Sequence, residues 1–239
     1  MTVAEHRVAA RMARAAWQVV AAIKNALVSD ASRDLKARWG PARGAVVHTS
    51  YRYGLRKLFG LYESEVLPYV RRYVRPGDVC WDIGAAEGYY GFAFARLAAP
   101  GRVYCFDIDP QLVGHLTRLA TTNAHLGSVV TVHPIRLGSS PIDDTQTSVD
   151  ALVYERGWRP PNVLKMDVDG DEVRILQGAL RVLRQHHPRL IIEVHSEQLE
   201  ADCRDLLRSI GYDVIVVPNR IVMAEHAFRP AHNRWICGQ

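Results

Sequence analysis

The sequence predicts an α/β fold: a doubly wound, mostly parallel sheet of seven strands whose last strand is antiparallel, preceded by an N-terminal helical arm. Short apolar runs alternate with amphipathic helical segments, which is typical of parallel strands joined by right-handed crossovers. The last apolar run, near 235–237, follows a connection too short for a helical crossover, so it should enter the sheet antiparallel.

The seven predicted strands follow one another in a regular order. Apolar runs place them at 79–81, 102–107, 128–133, 162–167, 189–195, 213–217 and near 235–237. Helices are predicted between them, at 92–97, 109–126, 171–186 and 197–210. The connection 134–161 contains only a short predicted helix, around 149–156, and a connection of this length indicates a lid or a substrate loop.

The N-terminal part differs from the rest in pattern and in charge. Residues 1–61 are predicted to form a basic helical arm, with an amphipathic helix at 3–28 and a short helix from 30 to Trp39, and residues 62–239 form the main domain. Up to Gly77 the chain has 14 Lys and Arg against 5 Asp and Glu, a net charge of +9. The arm is expected to pack on the main domain or to join the subunits of a homo-oligomer. Its charge could instead meet an acidic lipid surface, nucleic acid or an anionic substrate.

Composition narrows the class of protein. The 239 residues are ordinary for a soluble globular protein, and no apolar run reaches the roughly 18 residues of a membrane span, so no transmembrane segment is predicted. The four cysteines are scattered without a C-x-x-C pair. This pattern favours buried thiols in a reducing cytoplasm over a zinc ribbon or a disulfide framework.

A glycine-bearing turn follows the first strand, in the stretch DVCWDIGAAEGYYG from Asp78 to Gly91. A strand, a turn and a helix start in immediate succession leave backbone N–H groups free to meet a ligand. In open α/β sheets, ligands bind at the carboxyl ends of the strands. The residues expected at those ends, and hence in one crevice, are Asp82, Gly84, Asp107, Asp167, Glu193 and His195.

The spacing of the glycines distinguishes between nucleotide cofactors. A dinucleotide site needs G-x-G-x-x-G, whereas Gly84 and Gly88 are four residues apart with Glu87 between them. A carboxylate there would repel a pyrophosphate, but it is compatible with a sulfonium and an ammonium group. Asp107, after the second strand, can accept both hydroxyls of a ribose. These residues predict S-adenosyl-L-methionine; a nicotinamide or flavin cofactor, or an empty turn, is the alternative.

Four blocks of sequence carry a resemblance to a known family. DVCWDIGAAEGYYGFAFA, VYCFDIDP, LKMDVDGDEVRILQGA and LIIEVH, in this order and spacing, resemble the FkbM family of S-adenosylmethionine-dependent methyltransferases, which has the Rossmann-like class I methyltransferase fold. The resemblance covers about 62–239. Ala86, Asp107 and Asp169 stand where the family usually has Asn, Glu and Glu, which loosens the expected geometry.

The resemblance implies roles for individual residues. Asp82, Gly84 and Gly88 would hold the methionine part, Asp107 the ribose, and the exit of the third strand around Arg136 the adenine. The cofactor contacts that it implies are Asp82, Gly84, Ala85, Gly88, Tyr89, Asp107, Ile108, Arg136 and Asp167. Asn123 matches a family asparagine whose role stays open.

Methyl transfer to a hydroxyl needs a base, because an alcohol is a weak nucleophile until its proton is removed. His195 has the suitable pKa range and is favoured, with a structural histidine as the alternative. Lys165 and Asp167 point the same way off one strand, so Lys165 is either a base or the partner of that carboxylate. Asp167 and Glu193 could instead hold Mg²⁺, which would orient the substrate oxygens and lower their pKa.

The predicted function is that of a cytoplasmic S-adenosylmethionine-dependent O-methyltransferase acting on a hydroxyl of a small molecule: a sugar, a glycolipid or a secondary metabolite. The main alternative is a nucleic-acid methyltransferase, which the basic N-terminal part would suit. Against it, the chain reads MDVDG after the fourth strand, where enzymes that methylate base amino groups carry an Asn/Asp-Pro-Pro-aromatic motif. A cofactor-binding scaffold without activity is the third possibility.

Overall fold

The computed structural model describes residues 30–143, 145–218 and 232–239. The strands, in chain order, are β1 (Arg33–Lys36), β2 (Val46–Thr49), β3 (Val79–Ile83), β4 (Arg102–Phe106), β5 (Val129–His133), β6 (Arg136–Leu137), β7 (Gln146–Thr147), β8 (Val163–Met166), β9 (Arg189–Val194), β10 (Val214–Pro218) and β11 (Arg234–Gly238). The helices are α1 (Tyr51–Phe59), α2 (Leu67–Tyr73), α3 (Tyr89–Leu97), α4 (Pro110–Thr122), α5 (Val149–Tyr154), α6 (Glu172–Gln177), α7 (Leu180–His186) and α8 (Glu197–Ser209), with a 3-10 helix at Ala124–Leu126.

Seven strands form one sheet, in the order β10-β11-β9-β8-β3-β4-β5. β11 is antiparallel to both of its neighbours, and the other pairs are parallel. The predicted sheet, with its antiparallel last strand, is therefore confirmed. The strand order reverses at β3, which has β4 on one side and β8 on the other, and a reversal of this kind is where open α/β sheets bind ligands.

The sheet separates two apolar layers. Successive side chains of a strand face opposite sides, so Trp81 of β3 packs into one layer and Cys80 into the other. Both faces are covered, and β3 and β8 are therefore buried at every position. A charge in such a strand needs a partner: Asp82 and Lys165 are paired in register across β3 and β8, 3.4 Å apart at Oδ1 and Nζ.

The helix predicted at 171–186 is two helices, α6 and α7, which meet at Gly178. A Cβ on Gly178 would lie 2.0 Å from the carbonyl oxygen of Gly138, so the connection between β5 and β8 packs directly against the break. Asp150 in this connection accepts hydrogen bonds from the first N–H groups of α7, at Arg181 and Val182. The predicted short helix of the connection is present as α5, and the β6–β7 ladder was not predicted.

The N-terminal arm is not helical where a short helix was predicted from 30 to Trp39. Residues 33–36 form β1, which pairs antiparallel with β2. The pair is fixed by contacts that are distant in sequence: Asp34 binds the guanidinium of Arg118 in α4 and the ring of His48 in β2. Tertiary contacts, which the local sequence pattern does not show, therefore override the helix propensity of this segment.

Asn123, whose role was left open, holds this strand pair on the main domain. Its side-chain Oδ1 accepts from the backbone N–H of Val46, and its Nδ2 donates to the Val46 carbonyl, both at 2.8 Å. The amide thus satisfies both backbone groups of one residue of β2, as a neighbouring strand would.

Two predictions concern residues that the structure does not describe. The amphipathic helix at 3–28, and with it a homo-oligomer joined through the N-terminal helices, lies outside the described residues. Within 30–143, 145–218 and 232–239, no helix has the length and apolarity needed to cross a bilayer.

Candidate functional site

The carboxyl ends of the central strands form a crevice of about 500 Å³. Ile83 of β3 is level with Phe106 of β4 and Met166 of β8, so the next residues of the three strands, Gly84, Asp107 and Asp167, lie side by side. The residues that line the crevice are Ile83, Gly84, Ala86, Asp107, Ile108, Arg136, Leu137, Asp167, Val168, Asp169, Asp171 and Ile175. The strand-end carboxylates of β4 and β8 therefore share one site, as the sequence predicts.

Gly84 is required by packing between the strands. It has a φ of 74°, and a Cβ there would lie 1.9 Å from the carbonyl oxygen of Asp167. A larger residue would therefore push apart the ends of β3 and β8. Gly84 thus has a packing role in addition to the predicted contact with the methionine part.

Asp107 is fixed by the turn that precedes α3. Its Oδ2 accepts from the backbone N–H of Ala86 at 2.8 Å, and its Oδ1 accepts from that of Asp109 at 3.0 Å. Ala86 has a φ of 47°, which is unfavourable for a residue with a Cβ, and its bond to Asp107 helps to hold it there. A carboxylate offers about four acceptor sites, so each Asp107 oxygen keeps one for a ligand hydroxyl.

Nine residues were predicted to contact a cofactor, and they fall into two groups. Lining the crevice are Gly84, Asp107, Ile108, Arg136 and Asp167. Buried behind it are Asp82, Ala85, Gly88 and Tyr89. In the first group, the Arg136 guanidinium is bonded to Asp171, and Ile108 keeps 58% of its surface exposed.

The second group supports the turn from behind. A Cβ on Gly88 would lie 2.4 Å from Leu116, and the ring of Tyr89 packs edge-on against Tyr62. Asp82 is fully buried against Lys165. Direct contacts of these side chains with a cofactor stay predictions, and the structure gives each of them a packing role.

Glu87 forms an ion pair with a lysine of the N-terminal part. Its Oε2 accepts from the ammonium group of Lys57 in α1 at 2.8 Å, and this proximity lowers the pKa of Glu87 against the opposing effect of burial. The predicted repulsion of a pyrophosphate by Glu87 is correspondingly weakened. The choice of cofactor then depends on the glycine spacing and on Asp107.

Lys165 is the cation at the centre of a carboxylate cluster. Its Nζ lies 3.4 Å from Asp82 Oδ1 and 3.5 Å from Asp167 Oδ2, and it donates to the carbonyl of Gly84 at 3.3 Å. Burial alone would lower the pKa of Lys165, but the carboxylates of Asp82, Asp167, Glu63 and Glu193 raise it above its ordinary value. A lysine that stays protonated is a partner for carboxylates, so the geometry disfavours Lys165 as the base.

Glu63 belongs to this cluster and was not predicted. It lies between α1 and α2, is buried, and has a φ of 45°. Burial, and then the charge of Asp167, raises the pKa of Glu63. The same two causes, with Glu63 itself, raise the pKa of Glu193 to about 9, so Glu193 is protonated at neutral pH. No local pattern marks Glu63, because its neighbours in the cluster are all more than 15 residues away in sequence.

His195 is oriented by a second residue that was not predicted as part of the site. Its Nδ1 lies 3.2 Å from Oε1 of Glu172, a fully buried carboxylate at the start of α6. The Nε2 of the ring faces Asp167 at 3.7 Å and Asp169 at 3.8 Å. The hydrogen bond that His195 donates to Glu172, against the opposing effect of burial, raises the pKa of His195. The sequence marked Glu172 only as a favourable charge at a helix start.

The predicted metal ligands Asp167 and Glu193 do lie together. One polar atom from each of Asp167, Glu193 and His195 falls within 4.8 Å of the others. Carboxylate oxygens suit Mg²⁺, whereas an imidazole nitrogen suits transition metals better. The ammonium group of Lys165 already lies beside Asp167 and supplies positive charge at this position.

Comparisons with known proteins agree with this architecture. Residues 107–214 match a family described as "Methyltransferase FkbM domain". The chain is 26% identical over 191 residues to hexuronic acid methyltransferase AglP of Haloferax volcanii, an alignment that covers 70% of this chain and 75% of that protein.

Solved structures show the same fold. Methyltransferase FkbM from Methylobacillus flagellatus KT superposes with a TM-score of 0.56 at 19% identity over 76% of this chain and 54% of that one, so the present chain spans about half of its length. Aeropyrum pernix fibrillarin, in complex with natively bound S-adenosyl-L-methionine, superposes with a TM-score of 0.51 at 14% identity over 70% of this chain and 68% of that one. These identities show the fold alone. The chain therefore has the class I methyltransferase fold, and its residues 107–214 match the FkbM methyltransferase domain, as its sequence motifs predict.

Proposed function

We propose that the crevice binds S-adenosyl-L-methionine and that the protein transfers its methyl group to a hydroxyl of a sugar-like small molecule. One observation carries the proposal: Asp167 lines the crevice and also lies 3.7 Å from His195 Nε2. The nucleoside side of the site, at Asp107, and the proton-accepting side, at His195, are thereby adjacent. The matching FkbM domain and the AglP relative support methyl transfer.

The residues of the crevice fit the cofactor. Asp107 retains an acceptor position on each carboxylate oxygen, which matches the two hydroxyls of a ribose. The exposed side chain of Ile108 offers apolar surface to a flat adenine ring. Bound there, S-adenosyl-L-methionine would supply an electrophilic methyl group on a sulfonium. The volume of about 500 Å³ is within the usual range of small-molecule sites.

His195 is the base in this proposal. Glu172 accepts from Nδ1–H and so fixes the tautomer, which leaves Nε2 free to take the proton of an acceptor hydroxyl. Once Nε2 is protonated, the carboxylates of Asp167 and Asp169 stabilise the imidazolium. Lys165 is protonated and Glu193 is neutral at pH 7, so His195 is the group of the cluster suited to accept a proton.

The charge of the site favours a hydroxyl over a free carboxylate as the acceptor group. Glu63, Asp167 and Glu193 surround Lys165, and burial, followed by the charges of Asp167 and Glu63, raises the pKa of Glu193. An anionic acceptor group would be repelled there, whereas a hydroxyl can donate to a carboxylate and accept from a protonated carboxyl. If the acceptor is a hexuronic acid, as the name of the AglP relative suggests, we expect methylation at a hydroxyl.

The test is an assay with methyl-tritiated S-adenosyl-L-methionine and a panel of neutral sugars, hexuronic acids and their glycolipids. We expect label in a sugar-containing product, and the label should survive mild alkali, because a methyl ether is stable where a methyl ester is hydrolysed. Alkali-labile label would instead show that a carboxylate is the acceptor. Label in RNA, with none in the small molecules, would support the nucleic-acid alternative and contradict the proposal.

Asp107→Ala should abolish tight cofactor binding. The substitution removes both ribose acceptors and the partner of the strained Ala86 N–H, so a loss of roughly 2–4 kcal/mol, about 30-fold to 1,000-fold in Kd, is expected. Isothermal titration with S-adenosyl-L-homocysteine measures it. Asp205→Ala, at an exposed carboxylate of α8 that does not line the crevice, is the matched control. Unchanged affinity in Asp107→Ala would refute this position for the ribose.

The proposal does not require magnesium. Lys165 and the neutral carboxyl of Glu193 already balance the charge around Asp167, so treatment with a chelator should leave turnover unchanged. Activity that falls on chelation and returns with Mg²⁺, but not with Na⁺, would instead favour the predicted ion at Asp167 and Glu193.

A further inference from the structure

A second cavity, of about 470 Å³, shares no lining residue with the crevice and is lined by cations. Lys36, Arg38 and Arg43 are exposed around it, and Arg96 and His125 complete the basic set. The lining contains no Asp or Glu. In the part of the chain that the structure describes, none of the three exposed cations has a carboxylate within ion-pair distance.

Arg96 and His125 are held in place by backbone carbonyl oxygens. Both ring nitrogens of His125 lie 3.1 Å from carbonyl oxygens, of Thr122 and Gly44. Arg96 donates one guanidinium N–H to the carbonyl of Pro41 at 3.2 Å, and its other guanidinium N–H groups stay available for an anion.

Exposed apolar side chains lie next to this cavity. Trp39 follows Arg38 and is 55% exposed, and Phe59 and Leu61 are 48% and 50% exposed. The rings of Trp39 and Phe59 are stacked at 5.1 Å. Their two loops touch at Gly40 and Gly60, where a Cβ on either would lie 2.5 Å from the other's Cα. Adjacent large apolar side chains at such exposure mark a contact surface.

We propose that this surface docks on an anionic lipid bilayer, with a lipid phosphate in the basic cavity and the apolar side chains between the headgroups. The docking face consists of Lys36, Arg38, Trp39, Arg43, Phe59 and Leu61. Cations attract the anionic headgroups, aromatic rings favour the membrane interface, and Leu61 suits hydrocarbon.

The chemistry of the docking face favours a lipid over RNA. Leu61 is as exposed as the two rings but has no ring on which a base could stack, whereas an aliphatic side chain of this kind suits hydrocarbon. The proposal itself does not depend on methyl transfer.

Co-sedimentation of the full chain with lipid vesicles tests the docking face. We expect binding to vesicles that contain phosphatidylglycerol and little binding to pure phosphatidylcholine. Arg38→Gln with Arg43→Gln should weaken the binding roughly 30-fold, since each cation near the surface contributes about fivefold. Arg184→Gln with Arg208→Gln removes the same charge from exposed positions elsewhere and should bind as the unaltered protein does.

Trp39→Ala tests the insertion of apolar side chains into the bilayer separately from the electrostatic attraction of the cations. It should weaken vesicle binding roughly tenfold at unchanged charge, with an unchanged thermal melt as the check on folding. If both the arginine pair and Trp39→Ala bind vesicles as tightly as the unaltered protein, the docking face is refuted. It is also refuted if inorganic phosphate or single-stranded RNA binds in an Arg38-dependent and Arg43-dependent manner while vesicles do not.

Discussion

His195→Ala is expected to reduce kcat by about 10²-fold to 10⁴-fold while the affinity for S-adenosyl-L-homocysteine stays within a factor of about two. His195 is outside the crevice lining, so the cofactor side keeps its contacts. The acceptor hydroxyl, however, loses the group that takes its proton. Single-turnover kinetics and isothermal titration measure the two effects separately. His186→Ala, at an exposed histidine at the end of α7, should leave both unchanged.

Glu172→Gln distinguishes a base from a structural histidine at position 195. The hydrogen bond that His195 donates to Glu172 raises the pKa of His195. The base must be neutral to work, so activity should rise with pH through that raised pKa. Removing the charge of Glu172 should lower the pKa and move the acid limb of the kcat profile to lower pH. An acid limb that stays in place, together with a fully active His195→Ala, would return His195 to a structural role.

The sequence predicts the elements whose signals are local. β4 and β8 are apolar runs that are followed by carboxylates, and their shared register with β3 then places Asp107 and Asp167 at one edge of the sheet. A turn with φ near +47° at Ala86 has no such signal, because alanine disfavours that conformation and the bond to Asp107 imposes it.

The parts that could not be predicted depend on contacts between distant residues. Glu63 enters the carboxylate cluster from a segment outside the predicted strand pattern, and β1 forms where local signals favoured a helix. The bond between Glu172 and His195 joins the start of a helix to the end of a strand 23 residues later, and no spacing rule connects them. The sequence therefore indicates where the site lies, and tertiary contacts determine which protonation states it holds.

Lys165→Met is expected to destabilise the fold by roughly 3–5 kcal/mol at neutral pH, because it leaves the fully buried carboxylate of Asp82 without its cation. Burial raises the pKa of Asp82 from 3.8 to about 6 and that of Glu193 from 4.5 to about 9, in both cases against the opposing charge of Lys165. A carboxyl whose pKa is raised by folding contributes stability that is complete at acid pH and is lost as the pH rises through the raised value.

The loss of unfolding free energy in Lys165→Met should therefore grow from about pH 4 to pH 9, because the buried carboxylates must then ionise without the ammonium group. Urea unfolding at pH 5 and pH 9 measures the difference. Asp82→Asn in the Lys165→Met background removes the uncompensated charge and should recover part of the loss, more at pH 9 than at pH 5. An equal loss at both pH values, or no recovery in the double variant, would show that Lys165 stabilises the fold through its packing under Tyr90 rather than through its charge.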